Sequence, residues 1–206
     1  MTKTAKANGN AVTFATLEGA VTEKQMKDRA AELGAQFDTR MTFENLHRPG
    51  NMSIQTKLAK AKARFASLGM AAHTIAASID PAFVNRSVSE GKRFNVYAFD
   101  KLIDVLTGLG ATGRVTNAIN VAILKSMIAF EAAGVAFTGA EATAAASDKI
   151  KVPAAMNKLL TRHNVGATTA PTQTSSTMNA LMIAGIVVNT GMGRAPIYLS
   201  LIHISE

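Results

Sequence analysis

The chain has 206 residues, 48% of them apolar, enough for one medium domain or two small ones to bury a core without metals or disulfides. Lys and Arg number 22 against 14 Asp and Glu, and the resulting net charge of +8 directs attention to an anionic partner, nucleic acid or a membrane surface. With no cysteine, disulfide frameworks, thiol nucleophiles, zinc ribbons and Cys-ligated iron-sulfur clusters are excluded, and the balance favours a binding protein over an enzyme.

Residues 1–10 are polar and lack the apolar core of a secretory signal, and the first 20 residues or so read as a flexible lead. The longest apolar stretch, 118–137, is interrupted by Asn120, Lys125, Ser126 and Glu131, so the expectation is a soluble cytoplasmic chain with no membrane partner. Thr22 stands three residues before Gln25, a capping-box spacing, and Met26, Ala30, Leu33 and Phe37 then recur at helical intervals, predicting a helix over 22–36. A loop containing His47, Arg48, Pro49, Gly50 and Asn51 separates it from a basic amphipathic helix that starts at Ser53. There Ile54, Leu58, Phe65 and Leu68 form the apolar stripe, while Lys57, Lys60, Lys62 and Arg64 cover the other faces. An Ala-rich helix over 70–79 is closed by Asp80 and Pro81.

The polar stretch 85–94 is the best linker, placing a boundary between a helical region over 21–90 and a second region over 91–198. Beyond it the patterning predicts helices over 98–106 and 116–133, the latter ending at Gly134, and a short strand over 135–137. Thr138 and Glu141 form a second capping box opening a short helix to Ser147, and Pro153 suits the first turn of a helix over 153–163. After a loop over 164–171, Thr172 or Thr174 caps a last helix ending at Gly185, followed by a hairpin with strands at 186–188 and 194–198.

The stretch 174–198 resembles the end of a winged helix-turn-helix domain. It has a Ser/Thr-rich helix start, an inward-facing Leu181, an Ala184-Gly185-Ile186-Val187 step from helix to strand, and a glycine-tipped hairpin bearing Arg194. The resemblance implies double-stranded DNA binding, with the helix in the major groove and the hairpin on the adjacent backbone or minor groove. The expected fold is therefore mainly α: a helical N-terminal region plus a winged-helix-like C-terminal region with a small β-hairpin. Independently of the family, short hydroxyl and amide side chains at a helix start suit phosphates and base edges, which nominates Ser175, Ser176 and Asn179. Met178, Leu181 and Met182 would face the core. The stretch 149–198 holds Lys149, Lys151, Lys158, Arg162 and Arg194 with no acid, a charge distribution suited to phosphate. The 45–64 stretch likewise carries Arg48, Lys57, Lys60, Lys62 and Arg64 with no acid, and Lys57, Lys60 and Arg64 join the candidate DNA contacts.

Residues 199–206, LSLIHISE, resemble the in-frame translation of a sequencing-library transposon adapter, so this tail is expected to be non-native and no function is placed on it. Among enzyme signals, Gly108, Gly110 and Gly113 match GxGxxG before a long helix, with Leu102–Thr107 as the strand a dinucleotide loop would need. Glu131 then falls inside a helix and too little chain follows for further strand-helix units. A helix-ending glycine turn is the better account, and no cofactor is expected. His47, His73 and His163 lack a second ligand at zinc spacing, and Asp100 with Asp104 reads as an exposed acidic helix face rather than a cation site. The expected function is non-enzymatic: a transcriptional regulator of prokaryotic or viral origin, with a homodimer left open. The alternatives are a helical interaction or assembly protein and, third, a dinucleotide-binding enzyme.

Overall fold

In the computed structural model, which describes residues 7–8, 11–13, 23–68, 79–86, 94–108, 114–191 and 197–200, the first helix, α1 (Glu23–His47), runs well past residue 36. Its inward stripe passes from Leu33 and Phe37 to Arg40 and Glu44, so the last turns bury an ion pair instead of hydrocarbon and apolar periodicity stops before the helix does. Arg40 Nε donates to Glu44 Oε1 at 2.8 Å, and Arg40 Nη1 donates to the carbonyls of Val84 at 2.8 Å and Phe94 at 3.2 Å. Helix α2 (Met52–Ala66) starts at Asn51, whose side chain accepts from the Ile54 N–H, and it buries Leu58, Ala61 and Phe65. Of the helix expected over 70–79, only Ile79 is among the described residues, and it is buried. A 3-10 turn (Pro81–Val84), capped by the Asp80 side chain, follows.

Helix α3 (Ala98–Thr107) places Phe99 at the centre of a ring cluster, with centroids 4.9 Å from Phe37, 5.0 Å from Phe94, 6.1 Å from Phe83 and 6.4 Å from Phe65. These rings come from both sides of the 85–94 stretch, and the apolar core is continuous across it. Strands β1 (Ala7–Asn8), β2 (Ala11–Thr13) and β3 (Arg114–Val115) form a small antiparallel sheet in that order. Helix α4 (Ala118–Ala132) begins at Asn117, whose side chain accepts from the amides of Ile119 and Asn120.

The C-terminal part alternates helix and strand. After α4 come β4 (Phe137–Thr138) and α5 (Gly139–Ala146), the latter opened by the expected Thr138–Glu141 capping box. Helix α6 (Ala154–Asn157) is a single turn, so the helix expected over 153–163 is not continued. The reason lies in α5: its last carbonyls need donors, and the chain after α6 turns back to supply them. His163 N–H bonds Ala145 O at 2.8 Å and Val165 N–H bonds Ala146 O at 3.2 Å. Helix α7 (Ala170–Ile183) starts earlier than Thr172, with Thr169 at its cap making no side-chain bond. It ends in a Schellman turn, Ile186 N–H to Leu181 O at 3.0 Å and Gly185 N–H to Met182 O at 3.1 Å, with Gly185 at φ +69°, a conformation open to glycine at no steric cost. Strands β5 (Val187–Asn189) and β6 (Ile197–Ser200) pair antiparallel as the small hairpin expected. β6 also pairs with β4, Phe137 opposite Tyr198, so the sheet order is β4-β6-β5. The molecule is mainly helical, with two small antiparallel sheets among the described residues.

Candidate nucleic-acid interface

Because α7 packs on α3, α4 and α5, it surrenders most of its circumference. Thr174, Ser176, Thr177, Met178, Ala180 and Leu181 are buried; Thr172 and Ser175 are exposed and Asn179 is half-buried. Residues 172, 175 and 179 lie three and four apart, so they form one outward stripe of small polar side chains. Ser175 thus faces outward, and Asn179 partly so. Ser176 does not. One residue further, about 100° around the helix, it is 1% exposed and its Oγ accepts from Asn95 Nδ2 at 3.4 Å. Thr177, also inward, donates to Asn120 Oδ1 at 3.0 Å. Met182, expected in the core, is half-buried.

The basic candidates divide as sharply. Lys158 is exposed at the end of α6. Arg162 is turned inward and spent on the fold, correcting its assignment to DNA. Its Nε donates to Ala144 O at 3.2 Å, Nη1 to Asn157 Oδ1 at 2.9 Å, and Nη2 to Ser147 O at 2.6 Å and to Ile150 O. A guanidinium fork satisfies several orphan carbonyls at once, which is why this position suits Arg. Arg194, which the sequence reading assigned to the hairpin, lies outside the described residues. On α2, Lys60 is exposed and has no carboxylate partner among the described residues, while the Lys57 ammonium sits 4.7 Å from the Tyr97 ring centroid. Arg64 is paired with Asp100 of α3 at 2.7 Å, and Lys62 with Asp38 of α1. The acid-free run 45–64 is therefore not acid-free in space, and Arg64 is half of an ion pair rather than a free phosphate contact.

Sequence reasoning missed a polar network behind α7. Asp104, half-buried rather than part of an exposed acidic face, accepts at Oδ1 from Thr116 N–H at 3.0 Å and Asn117 N–H at 3.0 Å, and at Oδ2 from Asn120 Nδ2 at 2.9 Å. Lys101 donates to Asn117 Oδ1 at 2.7 Å. Burial lowers its pKa to about 8, against the opposing pull of Asp104 and then Asp100. The available signal was the interruption of apolar helices by Lys101, Asp104 and Asn120 at core-facing positions.

Leu102–Thr107, the strand a dinucleotide loop would need, is the second half of α3. Gly108 is explained by close approach: a Cβ there would stand 2.8 Å from the backbone carbonyl carbon and oxygen of Arg114. Gly110, Gly113 and His73 lie outside the described residues, as do 201–206 of the adapter-like tail, whereas Leu199 and Ser200 pair within β6. His47 rests against Phe43, with ring centroids 4.2 Å apart. Among the described residues no group of three or more His, Asp or Glu side chains is placed to hold a metal ion, and no helix is long and apolar enough to cross a membrane. Comparison with protein-family models, with curated proteins and with solved structures finds no match.

Proposed function

We propose that residues 118–198 form a winged-helix-like DNA-binding unit, and that the protein is a transcriptional regulator. The observation that carries this reading is the order α4, β4, α5, α6, α7, β5, β6, with α6 a single turn, combined with the sheet order β4-β6-β5. A strand laid down between the first two helices closes the outer hairpin, and α7 runs through Gly185 directly into that hairpin. A rod bearing Thr172, Ser175 and Asn179 and a two-stranded flap are thereby carried on one core, as groove reading beside backbone contact requires. The departure from a short helix-turn-helix turn is the segment between α5 and α7, which is braced onto the α5 C-terminus by Arg162 and His163. Lys158 and Arg194 supply phosphate contacts in this reading, and Ser175 with Asn179 the base-edge contacts.

Fluorescence polarisation with a random-sequence duplex tests it. Binding should weaken steeply with salt, and Lys158→Ala and Arg194→Ala should each flatten the log–log salt slope by about 0.9, one phosphate contact apiece. A folded chain that shows no binding at low salt would favour the second reading, a non-enzymatic helical interaction protein. That reading draws on the inward commitment of Thr174, Ser176, Thr177 and Arg162.

A further inference from the structure

We propose that the groove between α2 and α3 binds a small ligand with an aromatic-sized apolar body and an anionic head, and that its occupancy is felt by α7 through Asn95. The groove has a volume of about 500 Å³, within the range of roughly 300–1,000 Å³ usual for small-molecule sites. Its floor lies over the buried Val96 and Phe99, 6% and 1% exposed, so the apolar surface open to a ligand is chiefly that of Met52. One wall is the face of α2 that carries Ser53, Thr56, Lys57 and Lys60, whose three- and four-residue spacings turn two hydroxyls and two ammonium groups to the same side.

Among the described residues the one carboxylate lining the groove, Asp100, is paired with Arg64 at 2.7 Å, so the charge these residues leave uncommitted is positive. Lys60 supplies it directly, and Lys57 lies over the face of Tyr97. Met52, 67% exposed, lines the same groove, and Tyr97, 49% exposed, adjoins its Val96 edge, giving an apolar body surface to lie against beside the cations. The exposed Met52 side chain, the cationic wall and the neighbouring Tyr97 ring favour an aromatic anion over a neutral or cationic compound.

The link to α7 is one residue long. Val96 lines the groove, and the side chain of Asn95 beside it makes two bonds: its Oδ1 accepts from Tyr97 N–H at 2.9 Å and its Nδ2 donates to Ser176 Oγ at 3.4 Å. A ligand that shifts the Val96–Tyr97 step therefore acts on the inward side of the helix proposed to read DNA. Ligand binding stands on the groove alone; only its regulatory meaning rests on the DNA-binding reading.

The test is an amide-resolved NMR titration of the full chain with 8-anilinonaphthalene-1-sulfonate, an aromatic anion, in parallel with neutral N-phenyl-1-naphthylamine. The anion should give saturable shifts concentrated at residues 52–60 and 95–100, and the neutral compound should bind at least about tenfold more weakly, the size of one lost charged contact. The Lys57→Gln/Lys60→Gln double variant, with both changes at the surface, should keep a dispersed spectrum and lose about tenfold in affinity. The Ser176 amide should shift with the anion in the parent chain and stay still in Asn95→Ala. Equal binding of the neutral compound, unchanged affinity in the double variant, or shifts centred elsewhere would overturn the site. A Ser176 amide that moves equally in Asn95→Ala would overturn the coupling. None of these readouts contains DNA, so a failed duplex titration leaves them legible.

Discussion

The two ends of this molecule are cemented differently. Around α1, α2 and α3 the core is a stack of five phenylalanine rings, Phe37, Phe65, Phe83, Phe94 and Phe99, with one buried Arg40–Glu44 pair at its edge. Around α5 and α7 the large Met178 and Leu181 are set among many small buried side chains, Ala142, Ala144, Ala145, Ala146, Ala170 and Ala180, stitched by hydrogen bonds from Ser126, Ser147, Thr174 and Thr177. Large rings gain stability from the area they remove from water, whereas small residues gain it by letting backbones approach and bond. The first half should therefore suffer most from lost volume and the second from added volume or lost donors.

The largest expected effect is on the ring stack. Phe99→Ala should cost about 3–5 kcal/mol by chemical denaturation, because every other ring leans on it. Ala145→Leu in the other half should cost roughly 1–3 kcal/mol through overpacking, and equal tolerance of both changes would erase the contrast. Lys101 gives a pH test between the halves. Its folded pKa is lowered from 10.5 to about 8, so the unfolded chain holds the proton more tightly and stability contributed by this group rises as pH climbs through that window. Denaturation midpoints measured from pH 7.5 to 10.5 should show the rise, and Lys101→Met should remove it. Arg162→Ala should cost about 2 kcal/mol by uncapping α5, with hydrogen exchange accelerated first at the amides of His163 and Val165. The smallest contrast is within α7: Ser176→Ala should cost up to about 1 kcal/mol, while Ser175→Ala leaves stability within about 0.5 kcal/mol and lowers duplex affinity.

Much of the helical scaffold was legible because apolar spacing and caps speak locally. The Thr138–Glu141 box opened a helix where the residues said it would, and the step from Leu181 through Gly185 into Val187 was readable as helix turning to strand. What was not legible came from long range. The far end of α1 was hidden because its buried positions are Arg40 and Glu44, which no hydrophobic pattern registers. The helix expected over 153–163 yielded to the needs of α5 carbonyls that lie before it in the chain. For the candidate site, the composition of α7 was visible but its phase was not: Ser175 and Ser176 are chemically identical, and only the packing of α3 and Asn95 against the helix tells them apart. Arg64 and Arg162 read as free cations in one dimension and are partnered in three.

The brace formed by Arg162 has a practical corollary for anyone re-engineering the chain. The connection between α5 and α7 is not slack that can be lengthened at will: a fluorophore-bearing peptide spliced between Ser147 and Val165 would cut a hydrogen-bonded clamp and loosen both helices. The neighbouring exposed turn at Gly166–Thr169 carries none of the clamp's side-chain bonds and is where such a graft would be accommodated.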